Sequence, residues 1–153
     1  MPSTLAFLLP DTQRAPGAVR DDATGLFSAC GFVALGGPVL RQRRRQGRPS
    51  ALVHLRLHDR AGSLLQPGWQ AFAQLLQLAF DGSDLLCHQG QGRFVVLSGW
   101  VGEAVERPLL ALRLAGCGRR GDGLCHSAIV RRVEPAEDDL PLLLREAETD
   151  GVH

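Results

Sequence analysis

Two apolar runs joined by a Gly-x-Gly turn constrain this 153-residue chain more than any other feature. Leu85-Leu86-Cys87-His88-Gln89 leads into Gly90-Gln91-Gly92, and Arg93-Phe94-Val95-Val96-Leu97 leads away from it. Apolar segments of strand length on either side of a glycine-bearing turn predict a β-hairpin.

The rest of the chain can be read outward from that hairpin. Met1 to Arg20 carries Pro2, Pro10 and Pro16 with little periodicity, and reads as an extended arm. Asp21-Asp22-Ala23-Thr24-Gly25-Leu26 opens something more regular, with Thr24 or Asp22 as a helix N-cap. Phe27 to Gln46 should be helical, broken or kinked at Gly36-Gly37-Pro38 because proline inside a helix costs about 3 kcal/mol. Ser50 to His58 alternates as a half-buried strand does, and Asp59 to Pro67 is a loop. Gly68 to Phe80 shows a helical apolar stripe at Trp69, Phe72, Leu75, Leu76 and Ala79. After the turn Asp81-Gly82-Ser83-Asp84 and the hairpin come a helix over Gly102 to Ala115 and a glycine-rich connection, Gly116 to Gly123. A strand over Leu124 to Val133 and a final helix over Glu137 to Thr149 complete the chain. The order predicts an α+β fold: a βαββαβ core whose mostly antiparallel central sheet has flanking helices packed on one face. The expected organisation is an arm (1–20), one domain (21–150) and a short tail (151–153).

Composition narrows the chemistry. At 44% hydrophobic and 22% charged the chain can bury a core, yet no apolar run approaches the roughly 20 residues that span a bilayer. Leu5 to Leu9 lacks a preceding positive charge and a small-residue cleavage site, so it does not read as a signal peptide. Cytoplasm is the expected location. There is no lysine or asparagine, and all 17 basic residues are arginines. A mechanism needing Lys on a phosphate or Asn on a base edge is thereby excluded.

Net charge is +1 but unevenly spread. Arg41, Arg43, Arg44, Arg45 and Arg48 cluster where a helix should end, and Glu134 to Asp150 is strongly acidic. Cations stabilise a helix C-terminus. Without interleaved aromatics the cluster reads as a solvated helix end rather than a nucleic-acid surface. The four cysteines (Cys30, Cys87, Cys117, Cys125) lack C-x-x-C spacing. Cys87-His88 and Cys125-His126 repeat a dipeptide that suits metals, but neighbours on a strand point to opposite faces, so buried, inert thiols are expected.

The element order, with several segments in register, resembles the GGDEF family of diguanylate cyclases over about residues 21 to 150. Asp21 to Leu26 is similar to the family's D-x-L-T-G-L, with Ala23 in place of the first Leu. Ser127-Ala128-Ile129-Val130 resembles its S-I-G-V segment, and Leu140 to Glu148 its last helix. With Phe94 aligned to the family's Phe, the signature turn reads Gly90-Gln91-Gly92-Arg93-Phe94.

This resemblance implies where the family's ligands would sit. Condensing two GTP molecules into cyclic di-GMP needs divalent metal held by carboxylates. The family's L-D-x-D strand reads Leu55-Arg56-Leu57-His58 here, and its acidic signature positions are Gly92 and Arg93. Arg56, Gly92 and Arg93 are therefore lost metal positions. The segment Asp59 to Pro67 is too short for the family's guanine-binding stretch. The R-x-x-D inhibitory site reads Asp81-Gly82-Ser83-Asp84, keeping Asp84 but replacing the Arg by Asp81. A polar turn is the plainer reading of it.

The sequence thus predicts a chain that is not an enzyme: a degenerate cyclase-like domain with no metal, no cofactor and weak or absent nucleotide binding. It would act through protein partners in a cyclic di-GMP pathway, with no nucleic acid and no membrane insertion. The Arg41 to Arg48 cluster and the acidic last helix could meet head to tail in a homodimer. The alternative is a receptor that binds cyclic di-GMP or GTP through arginines such as Arg93, Arg119 and Arg120, with Gly116 to Gly123 cradling a phosphate. A third possibility, other chemistry at His54, His58 and Asp59, lacks any evident nucleophile.

Overall fold

The strand expected over Ser50 to His58 forms over those residues and lies inside a sheet. The computed structural model describes residues 19–58, 66–80, 82–116 and 125–150. Most of the predicted arm, loop residues 59–65 (with Asp59 and Arg60), Asp81, most of the glycine-rich connection (with Cys117, Arg119 and Arg120) and the tail lie outside the described residues.

The elements are α1 (Ala29–Gln46), β1 (Ser50–His58), α2 (Gln66–Ala79), β2 (Leu85–Gly90), β3 (Arg93–Ser98), α3 (Glu103–Gly116), β4 (Cys125–Val133) and α4 (Leu140–Asp150). The four strands form an antiparallel sheet in the order β2-β3-β1-β4, the βαββαβ core that the pattern predicts. Among the described residues no helix is long and apolar enough to cross a membrane.

Helices cover both faces of this sheet, not the single face expected. Under α2 and α3, Val53, Leu55, Leu57, Phe94 and Val96 meet Phe72, Leu76, Val105, Leu109 and Leu112. Under α1 and α4, Leu52, Cys87, Val95, Leu97 and Val133 meet Phe32, Leu40, Leu140 and Leu143. The cause is visible in β1: Ala51-Leu52-Val53 is apolar on successive residues, so both of its sides need cover.

Two expectations about α1 also fail, the break at Pro38 and the N-cap. The helix runs unbroken through Pro38. The carbonyl that Pro38 leaves unpaired belongs to Ala34; both residues are exposed, so water can satisfy it. Gly36 lies at a close approach instead, where an added Cβ would stand 2.6 Å from Leu140 Cδ2. The N-cap is Ser28, whose Oγ accepts from the Gly31 N–H at 3.1 Å, and not Thr24 or Asp22.

Candidate functional site: the signature hairpin

The hairpin turns through Gln91 and Gly92, with φ of 54° and 79°. Positive φ at both central residues is the geometry whose twist matches two right-handed strands, and Gly92 adopts it without steric cost. Gly90 also has positive φ (104°), and the pairing shifts between His88 and Gly90, where Gln89 is the extra residue of a bulge. The turn is anchored to the sheet centre, because the Leu57 N–H of β1 donates to the Gly92 carbonyl at 2.8 Å.

A buried histidine holds the turn from inside. Gly92 N–H lies 3.2 Å from His88 Nε2, and Asp21 Oδ2 lies 2.8 Å from His88 Nδ1. A backbone N–H can only donate, so Nε2 must accept and the ring proton sits on Nδ1, pointed at the carboxylate. Asp21 Oδ2 also accepts from the Thr24 N–H and Oγ1–H. The Asp21 to Leu26 loop is thereby fastened to the signature turn through one imidazole. That ring packs between Trp69 and Phe94, with centroids at 5.2 and 4.6 Å. Sequence reasoning missed His88 and Asp21 in these roles. The available signal was polar: a histidine in an otherwise apolar strand, and an Asp three residues before a Thr in a turn segment.

Cys87, next along β2, points the other way, into the core beneath α1. Burial, with the charge on Asp21 adding to it, pushes its thiol up to about 12, so it stays protonated and inert. Cys30 departs from the expectation of buried thiols: it is exposed in the first turn of α1. Among the described residues no group of three or more His, Cys, Asp and Glu is placed to hold a metal ion.

On the outer side, the three positions read as lost metal ligands do come together. Arg56 on β1 is directly opposite Arg93 on β3 and, on its other flank, Ser127 on β4. Both arginines are exposed, while Gly92 is buried in the turn. His58 shares the face of Arg56, and its Nε2 lies 2.9 Å from Ser127 Oγ. Two guanidiniums at facing positions repel a divalent cation, so the residues present do not fit the metal that the resemblance implies. His54 lies on the same face, whereas Asp59 is outside the described residues.

The retained Asp84 is buried at the start of the hairpin and lines two clefts, of roughly 270 and 310 Å³. One is bounded by Trp100, Arg107 and Pro108, the other by Arg20, Phe27 and Gln77. Neither uses the Arg41 to Arg48 cluster, two members of which, Arg43 and Arg44, are committed elsewhere. Arg43 is a clamp: it donates to the carbonyls of Pro49 (2.9 Å) and Gly99 (2.7 Å) and to Ser50 Oγ (3.1 Å). Burial first, and Arg48 second, push its guanidinium below the ordinary value, with Asp84 opposing. Arg44 pairs with Asp138 at 3.0 Å, and Arg131 with Glu137 and Glu146. One of the contacts expected between two copies, Arg44 to Asp138, is thus made inside one chain.

No protein-family model matches this chain. No curated protein matches it either. Solved structures do. The GGDEF domain of FimX from Pseudomonas aeruginosa superposes with a TM-score of 0.70 at 20% identity, over 86% of this chain and 90% of that one. The GGDEF domain of DgcB from Caulobacter crescentus, solved in complex with c-di-GMP, gives 0.69 at 14% identity over 89% and 92%. The diguanylate cyclase SiaD from Pseudomonas aeruginosa, in complex with its activator SiaC, gives 0.63 at 15% identity over 97% and 65%.

These likenesses show that the chain has the GGDEF fold. They also overturn the expectation that it is not an enzyme, because the fold it shares is that of diguanylate cyclases, which are enzymes. The exchanges at Arg56, Gly92 and Arg93 bear on metal at those positions and do not decide that question.

Proposed function

We propose that this chain, starting from the GGDEF fold, is a regulatory module of bacterial cyclic di-GMP signalling that works by binding another protein. The unit that does so runs over residues 21 to 150, in the cytoplasm. One observation carries the reading: Arg56 faces Arg93 at the two strand positions where the resemblance implies metal-binding carboxylates. The turn between them is firmly built, tied to β1 through Gly92 and to the Asp21 loop through His88. A rigid scaffold that presents cations is suited to contact with an anionic macromolecular surface. A solved complex of a GGDEF-fold cyclase with an activator protein gives the reading a precedent in kind.

Deleting the chain from its host and measuring cellular cyclic di-GMP tests this. The level should shift and return when the wild-type chain is restored. An unchanged level, with unchanged cyclic di-GMP-dependent outputs, refutes the reading.

A second reading, a receptor for cyclic di-GMP or GTP, draws on Asp84 and the clefts that bring Arg20 and Arg107 near it. Calorimetry with each nucleotide, with and without magnesium, separates the two. Micromolar binding lost in Arg107→Ala favours the receptor.

A further inference from the structure

We propose that the open end of the sheet, on the face covered elsewhere by α1 and α4, docks an extended acidic segment of a partner protein. This rests on the protein-binding reading above and assigns it a surface and a partner chemistry. Five exposed side chains share that face by register, with the half-buried His54 beside them. Arg93, Arg56 and Ser127 are cross-strand neighbours on β3, β1 and β4, and directly opposed residues point to the same side. His58 and Ile129 lie two residues further along their strands and so point with them. All five are exposed, Ile129 by 54%.

Three observations select the occupant. First, the charges are left unbalanced here and balanced nearby. Arg131 and Arg132 on β4 pair with Glu137, Glu146 and Glu134, and Arg44 with Asp138. Among the described residues, neither Arg56 nor Arg93 forms an ion pair, although like charges directly opposite each other destabilise a sheet. Carboxylates from outside would remove that repulsion, and guanidinium forks bind them bidentately.

Second, the surface is open. Small ligands bind where most of their area is enclosed, and these five side chains are exposed along strands. Two backbone N–H groups at the turn are already used: Gly92 donates to His88, and Leu57 to Gly92. A phosphate therefore finds no free amide cradle at these two positions. Third, an exposed isoleucine beside paired arginines is the mixture from which protein interfaces are built, an apolar anchor flanked by charge.

The test is an NMR titration of the full chain with a synthetic peptide of alternating Glu and Val. A Gln/Val peptide and GTP with magnesium serve as comparisons. The Glu peptide should move the amide signals of Arg56, Arg93 and Ile129 and the Nε–H signals of both arginines, and salt should weaken it. Arg56→Ser/Arg93→Ser should weaken binding roughly tenfold, whereas Arg44→Ser should leave it unchanged. The proposal is overturned if the two peptides act alike, if the signals that move belong to Arg41 to Arg48, or if only GTP moves the five residues. A cellular arm separates this claim from the one beneath it. If the double variant restores cyclic di-GMP in the deletion strain as well as wild type does, the docking surface is wrong while the signalling role stands. If wild type restores nothing, the signalling role falls, and the surface is judged by the peptides.

Discussion

The two sides of the signature turn treat charge in opposite ways. Inside, every polar atom of His88 has a partner: Asp21 on one nitrogen, the Gly92 N–H on the other, and aromatic rings on its faces. Outside, on the other face of the sheet, Arg56 and Arg93 face each other with no ion-pair partner among the described residues. The inner arrangement lowers the energy of the fold, and the outer one raises it. Stability therefore explains the first and not the second, which is why the outer face is where function should be sought.

Substitution can break that contrast from either side. The largest effect should come from inside. His88→Ala removes the imidazole from between Asp21 and Gly92, leaves a buried N–H unpaired and opens a cavity beside Trp69 and Phe94. Urea unfolding should show a loss of about 3 kcal/mol; a loss below about 1 kcal/mol would mean that the turn does not depend on this ring. Next is Arg43→Ala, which deprives two carbonyls and Ser50 of a donor, at about 1–2 kcal/mol by the same measurement.

An exposed ion pair should matter less. The Glu134 N–H and Arg131 hold the Glu137 carboxyl below the usual carboxylate range. A depressed folded value means that its contribution is complete above the unfolded value of about 4.3, and is lost as pH falls through the folded one. Because its side chain is about a third exposed, Glu137→Gln should cost only about 0.5 kcal/mol at neutral pH and nothing at low pH. A pH-independent cost would contradict this assignment.

Much of the scaffold was legible in the sequence because it rests on local rules. The hairpin, the strand at Ser50 to His58 and the order of elements follow from apolar periodicity and glycine-bearing turns. What escaped depends on contacts distant in sequence. Proline at 38 reads as a helix breaker, and nothing local reveals that it and Ala34 lie on the exposed side of the helix. Thr24 looked like a cap, but its hydroxyl is spent on Asp21, which answers to His88, 67 positions away. Of the site, the resemblance makes Arg56, Gly92 and Arg93 lost metal positions, and the structure sets them side by side because a strand and a turn fix their register. The loss of carboxylates at these positions predicts a chain that is not an enzyme, an expectation that the shared fold overturns.

Whether Arg56 and Arg93 truly oppose each other energetically can be read from a double-mutant cycle in chemical unfolding, using Arg56→Thr, Arg93→Thr and the pair. Each single replacement should stabilise the chain by about 0.2–1 kcal/mol at low salt, the double should add little beyond either single, and high salt should erase the gain. If the singles destabilise the chain, or the coupling between the two sites is favourable, the outer face is part of what holds the fold together and the contrast drawn across the turn is wrong.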